Sequence, residues 1–372
     1  MWTPFISTLL TLSISIAGTI NKRDGIGRQS IELGTALKNY YNIQVVPFGE
    51  CGELSKEEME LVETDLRNLH PIVLLNTSLP EIPHMVEILK RYKKPGQRFL
   101  AYTMIESDFV DPRFVEYLNF FEVIIVPDPF LVEVFQKSGV KPPIEVIPLA
   151  VDLSKFISKP LKKTIHKPFV FGNFSGCIFR KDQKILLEAF HEEFGSSDEV
   201  LLYLFFRGGD TVCIKEIKKY IQAHRLKNVK IESGPKSTKA YIEAFEALDC
   251  YVSPSWGEGF SIQPREAMAL GIPSIVSRNT GQITIADSGL AFVLRKQENV
   301  KAVYSLGYNI FAMGNMQRSD KEELKQLLKK VYIEKNTILD GNEKLRNWAT
   351  RYDIEKGPFV AEFIQFFEKT FG

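Results

Sequence analysis

Twice along this chain, short strand-like runs alternate with amphipathic stretches of helical period, and that double alternation limits the fold more than any other feature. The first series predicts strands at 12–19, 43–47, 71–75, 99–105, 121–126 and 144–148. Helices are expected between them at 29–39, 56–68, 82–92 and 129–138. Pro142, Pro143, Pro148 and the Lys- and Pro-rich stretch from Lys155 to Pro168 interrupt the pattern and mark a candidate linker. A second series predicts strands at 168–173, 199–206, 228–232, 249–253, 273–276 and 290–294, with helices at 183–194, 214–224, 237–247 and 264–270. Alternating βα order requires parallel sheets covered by helices on both faces. The expectation is an α/β chain of two Rossmann-like, doubly wound domains facing a cleft, over residues 1–155 and 156–354. Residues 355–372 are expected to form a terminal helix carrying Phe359, Phe363, Phe366 and Phe367. In such folds ligands meet the loops that follow the carboxyl ends of the strands.

Composition supports this picture and excludes others. A chain of 372 residues that is 44% hydrophobic and 25% charged can bury two cores and is neither disordered nor fibrous. Its net charge of +1 argues against a nucleic-acid binder. The total conceals an asymmetry, since residues 1–155 carry a net −5 and residues 156–372 a net +6. An anionic ligand would therefore favour the second half. Cys51, Cys177, Cys213 and Cys250 lie far apart and form no C-x-x-C, so neither a zinc site nor a disulfide framework is indicated. The first cationic side chain is Lys22, and six hydroxyl residues fall within the first fifteen. Those features favour a buried first strand over a secretory signal or a membrane span, although a targeting segment at residues 1–11 remains the alternative.

The most informative stretch runs from Tyr251 to Pro273. A buried strand ends at Ser253-Pro254, a loop carries Glu258-Gly259-Phe260, and Pro264 and Gly271 suit the first turn and C′ position of a helix. Glu266 is then expected in the first turn of that helix, with seven residues between it and Glu258, so two carboxylates would reach different parts of one elongated ligand. Taken singly, Glu266 could merely favour a helix N-terminus and Glu258 could be a solvated loop residue. Upstream, Arg180 and Lys181 precede the helix 183–194, with Asp182 a plausible N-cap. Two cations beside the positive end of a helix suit a phosphate, the alternative being solvated charges partly neutralised by Asp182. Asp24-Gly25-Ile26-Gly27-Arg28-Gln29-Ser30, in the first βα turn, reads as an incomplete dinucleotide fingerprint with serine at the third glycine position and Glu50 as a tolerable ribose ligand.

Taken whole, the 254–273 string resembles the donor-binding motif of the family-four-type retaining glycosyltransferases of GT-B fold, Pro-Ser-x-x-Glu-Gly-Phe followed by Glu-Ala-Met-Ala-x-Gly-x-Pro. Segments 123–130, 138–140 and 147–152 look like that family's exit from its first domain, and Asp249 stands where the family has an aspartate before its donor strand. The resemblance implies that Glu258 and the amides of Gly259 and Phe260 hold the donor sugar, and that Glu266 holds the ribose. It implies that Arg180 and Lys181 hold the leaving diphosphate, although here they are adjacent, which departs from the usual spacing. Gly25 and Gly27 would approach the diphosphate from the first, acceptor-side domain, and Thr280-Gly281 would border the donor. In the family the terminal helix packs back towards the first domain. A donor phosphate oxygen there assists acceptor deprotonation, with retention of configuration.

The expected activity is transfer of a sugar from a nucleotide-sugar donor to a glycan, lipid or protein acceptor. The chain contains no Asp-x-Asp, so no metal and no cofactor beyond the co-substrate is expected. Glu106 is the best acceptor-side candidate, its alternative being a capping carboxylate before Pro112; the family histidine of this region is not recognisable. The basic cluster Lys90-Arg91-Tyr92-Lys93-Lys94 with Arg98 reads either as a solvated helix C-terminus or as a peripheral contact with anionic lipid. A cytoplasmic location, with or without that membrane contact, is the matching expectation. Two rival functions stand beside this one: a nicotinamide-dependent oxidoreductase using Gly25 and Gly27, and a non-catalytic relative that binds glycans or a partner enzyme.

Overall fold

The computed structural model describes residues 12–21, 25–49, 51–52, 54–306 and 309–372. Asp24, Glu50 and the segment 1–11 therefore lie outside the described residues. Strands are labelled in chain order, and helices of seven residues or more are labelled likewise.

The chain divides into two compact units, 1–152 with 301–314 and 352–372, and 153–300 with 315–351. The first contains a six-stranded parallel sheet built from β1 (Ser13–Gly18), β2 (Asn42–Pro47), β3 (Ile72–Ser78), β4 (Arg98–Met104), β5 (Val123–Val126) and β6 (Ile144–Val146). Their order is β2-β1-β3-β4-β5-β6. The second contains β7 (Phe169–Asn173), β8 (Val200–Phe206), β9 (Val229–Ser233), β10 (Cys250–Ser253), β11 (Ser274–Ser277) and β12 (Phe292–Leu294), ordered β12-β11-β10-β7-β8-β9. Each sheet reverses its strand order beside its first strand, the doubly wound arrangement in which ligands meet the carboxyl ends of the strands at the reversal. In the second unit that point lies between β7 and β10.

Strand β1 lies inside its sheet, paired with β2 on one side and β3 on the other. Ile14 and Ile16 are buried there, and so is Ser15, whose hydroxyl accepts from the Gln44 amide at 2.8 Å and the His70 backbone N–H at 2.8 Å. Ser15 therefore reflects a satisfied interior rather than exposure. Helices α1 (Gly25–Leu37), α2 (Ile82–Tyr92), α3 (Pro112–Leu118), α4 (Phe130–Lys137) and α11 (Phe359–Phe371) complete the first unit. In α11, Phe363 stacks on Tyr102 with centroids 6.1 Å apart, and Phe367 meets Tyr41 edge-on at 5.5 Å.

The second unit adds α5 (Gln183–Phe194), α6 (Thr211–His224), α7 (Thr238–Glu246), α8 (Ile262–Ala269), α9 (Lys321–Ile333) and α10 (Asn342–Ala349). Its core joins the inner faces of the strands to α5, α6 and α9 through Phe171, Phe190, Leu204, Phe206, Ile217 and Leu328. Buried Asp249 fastens the end of the expected linker. It accepts from the backbone N–H of His166 at 3.1 Å and of Val170 at 2.8 Å, and pairs with Lys162 at 3.0 Å.

Two stretches differ from the expected elements. The helix expected over 56–68 is a single turn, Lys56–Met59, closed by a Ser55–Glu58 capping box. Beyond it the apolar pair Leu61-Val62 is drawn to the edge of β2, where Val45 N–H donates to Leu61 O at 2.7 Å and Glu63 N–H to Val45 O at 3.0 Å. Sheet pairing outweighs local helical period there. The second difference is an unanticipated two-stranded arm, β13 (Gln297–Leu306) and β14 (Asn309–Ser319), paired only with each other. Residues 301–314 of that arm belong to the first unit, within a span expected to be wholly C-terminal domain.

Candidate functional site

In the second unit the loop after β7 and the loop after β10 meet at the point where strand order reverses. The first makes a tight turn at Phe179–Lys181 and enters α5 through Asp182, whose backbone is left-handed (φ 45°, ψ 44°). As the sequence suggested, Asp182 caps α5, its carboxylate accepting the Ile185 N–H at 3.2 Å. The turn and the β10 loop are laced together: Trp256 N–H donates to Arg180 O at 2.7 Å, and Arg180 Nη1 donates to Gly257 O at 2.8 Å.

This lacing delivers both cations to Glu258. Arg180 Nη1 lies 3.1 Å from Glu258 Oε2 and Lys181 Nζ lies 2.5 Å from Oε1, with the Glu258 side chain only 6% exposed. Burial pushes the Glu258 pKa up, but the Lys181 and Arg180 charges more than offset it and hold the carboxyl at about 2. Asp182, a partial neutraliser of the two cations only in the alternative reading, is engaged elsewhere, by the Trp256 indole at 2.5 Å and by Arg318 Nε at 3.0 Å. Both cations thus face the Glu258 carboxylate at the mouth of the sheet.

Thr280 and Gly281 fasten the same loop from β11. Thr280 Oγ1 accepts the Glu258 N–H at 2.8 Å, and Gly281 N–H donates to Glu258 O at 2.8 Å. A Cβ on Gly281 would stand 2.7 Å from the backbone C and O of Gly259 and the N of Phe260, so only glycine permits this approach. Phe260 itself is buried, its ring 3.7 Å beneath the Arg265 guanidinium, which also donates to the carbonyls of Phe260 and Ser261. Only the backbone of Phe260 remains a candidate for ligand contact.

Helix α8 starts at Ile262, immediately after left-handed Ser261 (φ 68°), two residues before Pro264. Glu266 accordingly lies in the second turn rather than the first, and it is fully buried. Its Oε2 accepts the Tyr241 hydroxyl of α7 at 2.8 Å. Burial, then the adjoining Glu266 charge, pushes the Tyr241 pKa far up, so this hydroxyl stays a donor. Arg207, from the loop after β8, lies over the Tyr241 ring at 5.1 Å. Burial on β10 pushes the Tyr251 hydroxyl pKa far up, and the charges of Glu258 and Glu266 add to that shift. Gly271, φ +76°, stands just past the α8 C-cap as its sequence position suggested.

Sequence reasoning missed Tyr241, Arg207, Arg265, Trp256 and Arg318. Trp256 and Arg265 fall inside the recognisable motif, at positions that its pattern leaves open; Tyr241, Arg207 and Arg318 lie on separate elements that only folding brings near.

The remaining candidates belong to the first unit. Gly25 opens α1, four residues earlier than expected. At Gly27 a Cβ would meet Asn21 N at 2.5 Å and Asn21 O at 2.6 Å, so this glycine is required by the contact of α1 with the chain leaving β1. Ser30, in the third fingerprint position, is buried and accepts from the Asn76 amide at 2.8 Å. Glu106 is half-buried in the loop after β4; it does not cap α3, since Asp111 accepts the Arg113 N–H at 2.9 Å in that role. In the basic cluster, Lys90 pairs with Glu87, Arg98 pairs with Glu122, and Lys93 lies over the Phe99 and Phe120 rings. Among the described residues no helix is long and apolar enough to cross a membrane, and no three His, Cys, Asp or Glu side chains gather to hold a metal ion.

Residues 162–306 match the family described as Glycosyl transferases group 1. Among solved structures, the chain resembles Anabaena HepE in complex with UDP, with TM-score 0.71 and 14% identity over 96% of this chain and 100% of that one. It also resembles the sucrose-phosphate synthase of Thermosynechococcus elongatus, TM-score 0.70 and 13% identity over 97% and 99% of the two chains. A glycosyltransferase from Rickettsia africae matches with TM-score 0.68 and 12% identity over 97% and 99%. These likenesses show two Rossmann-like domains of the GT-B fold. A comparison with curated protein sequences finds no match.

Proposed function

We propose that the protein is a retaining glycosyltransferase that moves a sugar from a nucleotide-sugar donor to a glycan, lipid or protein acceptor without a metal ion. The observation that carries this reading is the pairing of Arg180 and Lys181 with the buried Glu258 carboxylate at the strand reversal of the second unit. A sugar diphosphate presents two chemistries side by side, hydroxyls and a doubly charged anion. The cluster presents their complements: a carboxylate that stays ionised to about pH 2, and two cations with several donors each. Arg180 and Lys181 stabilise charge developing on the departing nucleotide, the place where fixed donors accelerate group transfer most. Glu258 and the Gly259 and Phe260 amides hold the sugar, Glu266 the ribose, and Glu106 faces the acceptor. HepE, of like fold, has been solved in complex with UDP and with UDP-glucose, ligands of this class.

Thermal shifts against UDP-, GDP- and ADP-sugars test the donor. Binding at a hundred times Kd stabilises by about 2.7 kcal/mol, and one base should stand out. Each charge-assisted hydrogen bond contributes roughly 1.5–3 kcal/mol. The Arg180→Ala/Lys181→Ala variant should therefore lose about two to four orders of magnitude in kcat/KM, read as nucleotide release with acceptor present. Full activity in that variant would end the reading, and donor binding without turnover would return the non-catalytic alternative.

A further inference from the structure

The turn bearing the two cations is held by a residue from an unexpected element. Asp182 joins that turn to α5 in a left-handed conformation that a non-glycine residue adopts only under constraint. Its side chain is 4% exposed, and its carboxylate is gripped from three directions, by Ile185 N–H at 3.2 Å, the Trp256 indole at 2.5 Å and Arg318 Nε at 3.0 Å. The first grip is ordinary helix capping. The other two bind Asp182 to the β10 loop and to the end of β14.

Arg318 is well placed to act as the outer clamp. Its guanidinium lies 5.5 Å over the Trp256 ring, and its side chain is 36% exposed. The strand beneath it is fixed to the same loops: Gln317 N–H donates to Trp256 O at 2.8 Å, Asn279 Nδ2 donates to Gln317 O at 3.0 Å, and the Ser319 and Ser277 hydroxyls are 2.8 Å apart. Arg318 also supplies the charge that balances Asp182. Without it, that carboxylate would compete with Glu258 for Arg180 and Lys181, the two residues immediately before it in the chain.

We infer that Arg318 is a positioning residue for diphosphate binding: by holding Asp182 it sets the turn that aims Arg180 and Lys181 and keeps the Asp182 charge from opposing the ligand. The inference rests on the donor reading above, and it assigns a part in that site to the β13–β14 arm.

The test is a cycle of Arg318→Ala, Asp182→Asn and the double variant, with Arg318→Lys as the conservative substitution. Asparagine keeps the oxygen that caps α5 but turns a donor group towards Trp256 and Arg318, so Asp182→Asn removes the clamp and spares the cap. The first readout is calorimetric affinity for UDP, GDP and ADP. For the nucleotide that the unaltered protein binds, Arg318→Ala and Asp182→Asn should each weaken affinity about tenfold or more. The double variant should be no weaker than the worse single, because both act through one contact. Arg318→Lys should recover part of the loss by restoring charge. The second readout needs no ligand: the Trp256 indole N–H resonance, assigned with Trp256→Phe, should shift in Arg318→Ala. If no nucleotide binds the unaltered protein, the donor reading fails, and the indole resonance still decides whether Arg318 governs Asp182. An unmoved resonance, or unchanged affinity in Arg318→Ala, or additive losses in the double variant, would overturn the inference.

Discussion

Among single residues, Glu258 shows how a buried charge is made tolerable. Desolvation disfavours its carboxylate, and the cations on either side reverse that balance. Its folded pKa of about 2 lies below the ordinary value of 4.5, so its contribution to stability is complete above the latter and is lost as the pH falls towards the former. Glu258→Gln should flatten the acid limb of a stability–pH curve between about pH 4 and 2, measured by denaturant unfolding at each pH. Gly281 is equally constrained, because its neighbours at 2.7 Å are backbone atoms that cannot swing aside. Gly281→Ala should destabilise by roughly 1–3 kcal/mol through overpacking and should also weaken donor binding by displacing the Glu258 loop. Tyr241→Phe strips Glu266 of the hydroxyl at 2.8 Å. A hydrogen bond to a charged group is worth roughly 1.5–3 kcal/mol, and a fall of several degrees in the melting midpoint should report its loss.

Among the helices and strands, the motif helix and its loop could be read from sequence because local chemistry marks them: Pro264 near the start of α8, Gly271 just past its end, and apolar strands on either side. Asp182 as the cap of α5 was legible for the same reason. The segment 56–68 departs from its expected helix because its apolar residues serve a sheet edge rather than a helix face, and period alone does not distinguish the two. The β13–β14 arm escaped because its strands pair only with each other and follow the last strand of the regular alternation. Its end at Gln317–Ser319 matters to the site through neighbours more than 30 residues away in sequence, Asn279, Ser277 and Trp256.

Over the molecule as a whole, each unit carries its own sheet and core, and the C-terminal helix completes the first. Phe359, Phe363, Phe366 and Phe367 are all buried there. Burying a phenylalanine stabilises by about 1.5–3 kcal/mol, so these four together supply about 6–12 kcal/mol. That is comparable to the entire stability of a domain, about 5–15 kcal/mol. A chain ending at Lys356 should leave residues 12–152 sensitive to limited proteolysis while residues 153–300 stay protected. Equal protection of both halves would contradict this account of the helix.

Local patterns in the chain were enough to reveal the two-block α/β plan, the positions of the twelve strands of the two parallel sheets to within a few residues, and the grouping of Glu258, Gly259, Phe260 and Glu266 on one loop and helix. Those features depend on period, capping and turn chemistry, which act over a few neighbouring residues. It took the folded arrangement to establish that Arg180 and Lys181 clasp Glu258, that Tyr241 holds Glu266, that Gly27 answers to Asn21, and that Arg318 holds Asp182. Side chains from separate elements acquire partners when strand order places their loops together, and the free energy of those pairings depends on burial that no local pattern records.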